Sequence, residues 1–258
     1  MSILKNVKTK NEKRPNKIVV HSLGGVGKST FGVRAARAKN GILLLGEDGV
    51  NNIKEADGVP RLELSCWDYI DPEVPNGISL KAALKTLMVD DHEYGCVVID
   101  TLDSLVPSLD DFVIQKFYKG DAVKADAYKQ KYTNYVREFT SVIKGLDYLV
   151  NNRNMEVVTL VHSVVSNHRD PASEAWKRWE FNLPGGDRTD CRALVYDWAD
   201  IVLYASRDVE VEDRKGYGGD RIAFTDWSPA YDAKNRFDLP SKIPFEYEEF
   251  NKLISEEG

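Results

Sequence analysis

The run Gly24-Gly25-Val26-Gly27-Lys28-Ser29-Thr30 brings together the residue types that hold phosphate. Glycines let backbone N–H groups converge on phosphate oxygens with no Cβ in the way. The helix-permissive residues that follow add unpaired donors and a positive dipole end. In the pattern G-x-x-x-x-G-K-[ST] the lysine reaches the β- and γ-phosphates and the hydroxyl ligates Mg²⁺. Lys28 and Ser29 occupy those positions, while Ser22 stands where the first glycine would. The expected ligand is ATP with Mg²⁺, and the expected machinery is a strand, this loop and a helix.

Three further residues complete a hydrolytic set. Asp100 closes the apolar run Cys96-Val-Val-Ile, where a carboxylate sits beside the Mg²⁺, usually through water. Glu47 and Asp48 lie just past another apolar run, at the strand ends where ligands of parallel sheets gather. Either acid can act as general base, and Glu47, nearer the strand end, is the expected one. His162 ends a strand at the same rim, and its expected role is to sense the γ-phosphate and pass its presence to the segment that follows.

Apolar runs alternating with helical stretches predict parallel strands joined by crossovers. Strands are expected at Ile18 to His21, Ile42 to Leu45, Arg61 to Leu64, Cys96 to Ile99 and Glu156 to Val161. Two more are expected at Ile201 to Tyr204 and Arg221 to Phe224, with Gly216, Gly218 and Gly219 turning between them. Helices are expected at Thr30 to Lys39, Leu80 to Val89, Asp110 to Asn151 with a break near Gly120, and Glu246 to Ile254. Ser163 to Thr189 shows no sustained period and holds two prolines, so it reads as a long loop, of the kind that is functional or disordered. Residues 1–16, rich in Lys and Arg, read as a basic, flexible arm, and 17–258 as one domain.

A net charge of −6 over 258 residues argues against a duplex-DNA binder with a broad basic face. Cys66, Cys96 and Cys191 form no paired or metal-binding spacing, which suits a reduced cytoplasmic setting. No apolar run approaches membrane-spanning length, so no membrane partner is expected.

The order of these features resembles the compact RecA-like ATPases of bacteriophages, a group that includes single-strand annealing recombination proteins. A phosphate loop comes first, then a strand ending in Glu47, then Val-Val-Ile-Asp-Thr-Leu-Asp-Ser-Leu, then a strand ending in His162. Near the end comes Ala-Lys-Asn-Arg-Phe-Asp-Leu-Pro240. The resemblance covers roughly Lys17 to Pro240. It implies an α/β RecA-like P-loop core, a mostly parallel central sheet flanked by helices, with a C-terminal strand pair. It also implies ATP bound between protomers of a ring or filament, with Lys234 and Arg236 reaching a neighbour's ATP in the manner of an arginine finger. Phage recombination, annealing or replication is the implied setting, in the host cytoplasm. The implied partners are single-stranded DNA, further copies of the chain and a single-strand-binding protein. The DNA-contacting loop of the group falls at Ser163 to Thr189, where Arg169, Trp176, Lys177, Arg178 and Trp179 mix cations with aromatic faces suited to stacking on bases. The same two tryptophans could instead pack that loop onto the sheet.

Competing readings are weaker on particular residues. Partition and cell-division ATPases carry a signature lysine where this chain has Leu23. A GTPase would need Asn-Lys-x-Asp to read guanine, and none occurs. A small-molecule kinase would need an Arg-rich lid, which nothing here demands. The remaining alternative is a scaffold in which ATP only switches assembly on DNA.

Overall fold

The computed structural model describes residues 13–127, 130–169, 172–185, 190–213 and 215–257. Its strands are β1 (Lys17–Ser22), β2 (Gly41–Leu45), β3 (Arg61–Glu63), β4 (Cys96–Asp100), β5 (Glu156–His168), β6 (Trp176–Phe181), β7 (Ile201–Glu212), β8 (Lys215–Phe224) and β9 (Lys242–Pro244). They form one sheet ordered β3-β2-β4-β5-β1-β7-β8-β9, with β6 off that path and paired with β5. The first six strands of that order run parallel, and β7–β8, β8–β9 and β5–β6 are antiparallel. This is the expected α/β architecture, a mostly parallel central sheet flanked by helices, C-terminal strand pair included.

The central strands read as unbroken apolar runs because both faces are covered. Successive side chains point to opposite faces, so each run divides between two cores. Val19, Ile42, Leu44, Val97, Ile99, Val157, Val161 and Val202 enter one core. That core is shared with the helices α2 (Leu80–Val89), α3 (Val106–Tyr118), α5 (Gln130–Arg153) and α6 (Cys191–Trp198). Ile18, Val20, Leu43, Leu45, Val98, Val158, Leu160, Ile201 and Leu203 enter the other, against α1 (Lys28–Ala38) and α7 (Tyr247–Glu257). A short helix, α4 (Ala122–Asp126), lies between α3 and α5, so the helical region does break just after Gly120. Side-chain caps start three of these helices. Ser79 accepts from Ala82 N, Asp121 from Lys124 N and Asp190 from Ala193 N.

Two expectations are corrected. Ser163 to Thr189 is not mainly loop: β5 continues past His162 to His168, and β6 returns antiparallel, with Val165 opposite Trp179. Residues 170, 171 and 186–189 lie outside the described residues. Charged residues at buried positions hide the strand in the sequence. Arg178 is only 4% exposed and pairs with Asp232, and buried Glu180 pairs with Arg192. The glycines Gly216, Gly218 and Gly219 are also not a turn. They lie within β8, and the chain reverses next to Asp213, whose φ is 50°.

Of the basic arm, residues 1–12 lie outside the described residues. Its inner end is tied to the sheet, because Arg14 pairs with Asp200 at 2.8 Å and Asn16 O accepts from Val157 N. Among the described residues no helix is long and apolar enough to cross a membrane, and all three cysteines are free thiols.

The Arg178–Asp232 pair generates a stability prediction. Removing one partner of a buried ion pair leaves the other charge uncompensated. Arg178→Ala is expected to lower unfolding free energy by about 3 kcal/mol in urea titration, whereas exposed Lys177→Ala on the same strand leaves it nearly unchanged.

Candidate active site

The phosphate loop follows β1, and its geometry begins at Gly27. This residue precedes α1 with φ 113°, a conformation that side chains resist. Among the described residues no side chain caps α1, and its first N–H groups are suited to an anionic ligand. Ser22 supplies what the usual glycine could not. Its carbonyl and hydroxyl oxygens accept from Lys28 Nζ at 3.2 and 3.3 Å, and Leu23 O accepts a third bond at 3.2 Å. Three neutral oxygens hold a buried ammonium, and burial pushes the Lys28 pKa down.

Asp100 stands opposite, at the end of β4 and 2% exposed. Burial drives its pKa up to about 6, against the Ser29 hydroxyl, which donates to it. Among the described residues its Oδ1 has no hydrogen-bond partner. A buried carboxylate oxygen without a partner beside a serine hydroxyl fits Mg²⁺, which takes few protein ligands and keeps phosphate and water in its remaining positions. No cage of three or more His, Cys, Asp or Glu side chains exists among the described residues.

Glu47 reaches the same edge because β2 and β4 end together, Leu45 opposite Asp100. Gly46 allows the close turn between them: its N–H donates to Asp100 O at 2.8 Å, and a Cβ there would stand 2.9 Å from Thr101 O. Glu47 Oε1 lies 3.9 Å from His162 Nε2. Asp48, the other candidate base, is exposed and accepts from Asn51.

His162 is held from behind by a residue that sequence reading passed over. Asp103 Oδ1 accepts from His162 N at 2.9 Å, and Oδ2 lies 3.1 Å from His162 Nδ1. Asn182, just after β6, donates to the same Oδ2. The Asp103 bond is the main reason the His162 pKa is raised. Burial pushes Asp103 upward, but the bonds from His162 and Asn182 outweigh it and its pKa is lowered. Asp103 follows Asp100 by three residues on a tight helical turn, and that spacing was the available signal.

His21 was also missed. It is fully buried, with Nδ1 3.0 Å from Ser163 Oγ and Nε2 2.7 Å from Asp232 O. The carbonyl can only accept, so Nε2 carries the proton and Nδ1 accepts from the serine.

The structure therefore brings together Gly24, Gly25, Val26, Gly27, Lys28, Ser29, Thr30, Glu47, Asp100 and His162. It does not bring Lys234 or Arg236 to them within one chain. Lys234 bridges to Val202 near the start of β7, and its Nζ donates to Tyr196 O and Asp197 O. Arg236 pairs with Asp200, which precedes β7. Because β7 runs parallel to β1, both lie toward the sheet edge opposite the phosphate loop. On the hairpin, Arg169 and Lys177 are exposed. Trp176 Nε1 donates to Pro229 O, and Trp179 pairs its backbone with the 230–232 segment while stacking on Tyr204. Arg178 is buried against Asp232, with Trp227 over its guanidinium.

A sequence model of the AAA domain family matches residues 14–237. No curated protein matches the chain. Among solved structures, the chain is similar to one described as the crystal structure of the RadB recombinase. The two are 10% identical, with a TM-score of 0.48 over 92% of this chain and 90% of that one.

The His21 environment generates a pH prediction. Burial lowers its pKa from 6.5 to about 4, so the fold holds the neutral ring and the unfolded chain takes up a proton first. Its contribution is complete above pH 6.5 and is lost as pH falls toward 4, for a total of about 3 kcal/mol. Chemical unfolding at a series of pH values is expected to show this loss in the parent. His21→Gln, less stable at neutral pH, is expected to lack that component.

Proposed function

The chain belongs to the AAA domain family, and on that premise we propose that it is a Mg²⁺-dependent ATPase of RecA type acting on single-stranded DNA in recombination, annealing or replication. The observation that carries this reading is the continuity of β5. One strand bears His162 beside the phosphate loop and runs without interruption into the β5–β6 hairpin.

In this reading the N–H groups of Gly24 to Thr30 cradle the phosphates, and Lys28 exchanges its three oxygen partners for the β- and γ-phosphates. Ser29 and Asp100 would hold Mg²⁺, which when bound would neutralise charge developing on the phosphates. Glu47 orients the attacking water and takes its proton. His162, fixed by Asp103, registers the γ-phosphate and transmits its presence along β5. Arg169 and Lys177 contact the DNA backbone from the hairpin, with Trp176 and Trp179 shaping the surface. Arg178 is assigned to holding that surface, given its buried pairing with Asp232.

ATP lies between protomers, with Arg236 and Lys234 supplied by the neighbour. The Arg236 side chain is 55% exposed, and among the described residues its one ion pair is with Asp200 at 3.0 Å, which suits it to engage a second chain. Lys234, with two carbonyl partners, is the more firmly held.

Turnover measured with no DNA, single-stranded DNA and duplex DNA tests the reading. Single strands are expected to stimulate the parent most, and a rate indifferent to DNA would remove the nucleic-acid role. Glu47→Gln is expected to bind ATP like the parent but hydrolyse it about 10²-fold more slowly. Mixing Lys28→Ala with Arg236→Ala is expected to restore part of the activity each lacks, by pairing an intact loop with an intact finger. Full activity of Arg236→Ala as a monomer would rule out action across the interface.

A further inference from the structure

Beside the phosphate loop the chain forms a pocket of about 690 Å³ between β8, β9 and the bulge in β7 at Arg207 to Val209. Arg221 joins loop and pocket. It lines the pocket, and its Nη1 would stand 3.1 Å from a Cβ placed on Gly27. Among the described residues the Arg221 guanidinium has no hydrogen-bond or ion-pair partner. The other charged walls are mostly engaged. Lys242 pairs with Asp208 at 2.6 Å, Arg207 donates to Gly219 O at 3.5 Å, and Glu246 pairs with Arg34 of α1.

The pocket is fixed to the helix that begins the phosphate site. Phe245, which follows β9, stacks on Phe31 of α1 with ring centroids 5.0 Å apart and planes 6° from parallel. The Glu246–Arg34 pair secures the same contact almost one turn further along. A ligand with its phosphates on the loop therefore has this pocket alongside α1 for its remaining part. Its volume is in the range of small-molecule sites. Ile243 and Pro244 supply apolar wall, and Asp220 supplies an acceptor suited to an amino group.

Resting on the reading of the loop as an ATP site, we infer that this pocket is the nucleoside subsite and that Arg221 is its main determinant. The planar guanidinium stacks on the base, a use that a lysine cannot reproduce. Its place against Gly27 sets the base at the exit of the phosphate loop.

Equilibrium binding of Mg²⁺–ATP and Mg²⁺–tripolyphosphate to the full chain separates base from phosphate recognition. The parent is expected to prefer ATP. Arg221→Ala is expected to weaken ATP about 10-fold, as loss of a stacked cation implies, and to leave tripolyphosphate unchanged. Arg221→Lys is expected to behave like the alanine variant, and Lys28→Ala to weaken both ligands. Equal loss of both ligands in Arg221→Ala, with recovery in Arg221→Lys, would make Arg221 a phosphate contact and overturn the inference. Unchanged ATP affinity in Arg221→Ala, or a parent that binds tripolyphosphate as tightly as ATP, would also overturn it while leaving the phosphate loop intact. A parent that binds neither ligand would overturn the ATP reading itself, and the subsite with it.

Discussion

The position of β5 between β1 and β4 is the constraint from which the site follows. Parallel pairing places Ser22 opposite His162 on one side, and Ile99 opposite Thr159 on the other. The ends of three strands are thereby aligned, and residues far apart in sequence meet at one edge. A slip of one residue in either ladder would turn the strand's side chains to the opposite faces. Both faces are packed here by separate cores, so that slip would bury the wrong residues on both sides. The register that serves the hydrophobic layers is thus the same register that assembles Lys28, Asp100, Glu47 and His162.

Electrostatics at this edge favour a phosphate chain with a divalent cation. The Lys28 ammonium rests on uncharged oxygens, although three carboxylates are near enough to favour its charged form. Asp100 is buried with an idle oxygen and holds its proton to about pH 6. The N-terminus of α1, without a side-chain cap among the described residues, adds N–H donors between them. Each group is unfavourable alone in a buried setting, and each is relieved by a phosphate chain with a divalent cation. The Asp103–His162–Asn182 cluster behaves differently. Its bonds are made within the protein, so it needs no ligand to hold its shape.

Sequence made the phosphate loop, Asp100 and Glu47 legible because backbone chemistry restricts which residues can occupy such positions. The central parallel strands β2 and β4 were legible too, since burial on both faces leaves continuous apolar runs. The hairpin was not. Trp176-Lys-Arg-Trp-Glu-Phe181 lacks the alternation of a strand, because Arg178 and Glu180 are buried through pairing with Asp232 and Arg192. Those partners lie 54 and 12 residues away, and nothing local announces them. His21 was obscured in a similar way. A polar residue ending an apolar strand resembles a boundary, whereas burial and two hydrogen bonds make it part of the interior. Arg221 was read only as the start of a strand, because its approach to Gly27 depends on the β7–β8 pairing.

The last two residues of β1 divide the mechanical work of the site. Ser22 faces forward and holds the Lys28 ammonium through its carbonyl and hydroxyl. His21 faces back and ties Ser163 of the hairpin strand to Asp232, the partner of Arg178. His162 and Ser163 are consecutive, so one strand meets the phosphate site through one residue and the His21 anchor through the next. Adjacent strand residues point to opposite faces, and the two contacts therefore grip β5 from both sides of the sheet. A strand held in this way cannot shift at His162 without disturbing the bonds at Ser163. Those bonds lead through Asp232 to Arg178 on β6, so a continuous set of polar contacts joins the base of the hairpin to the strand that carries the phosphate loop.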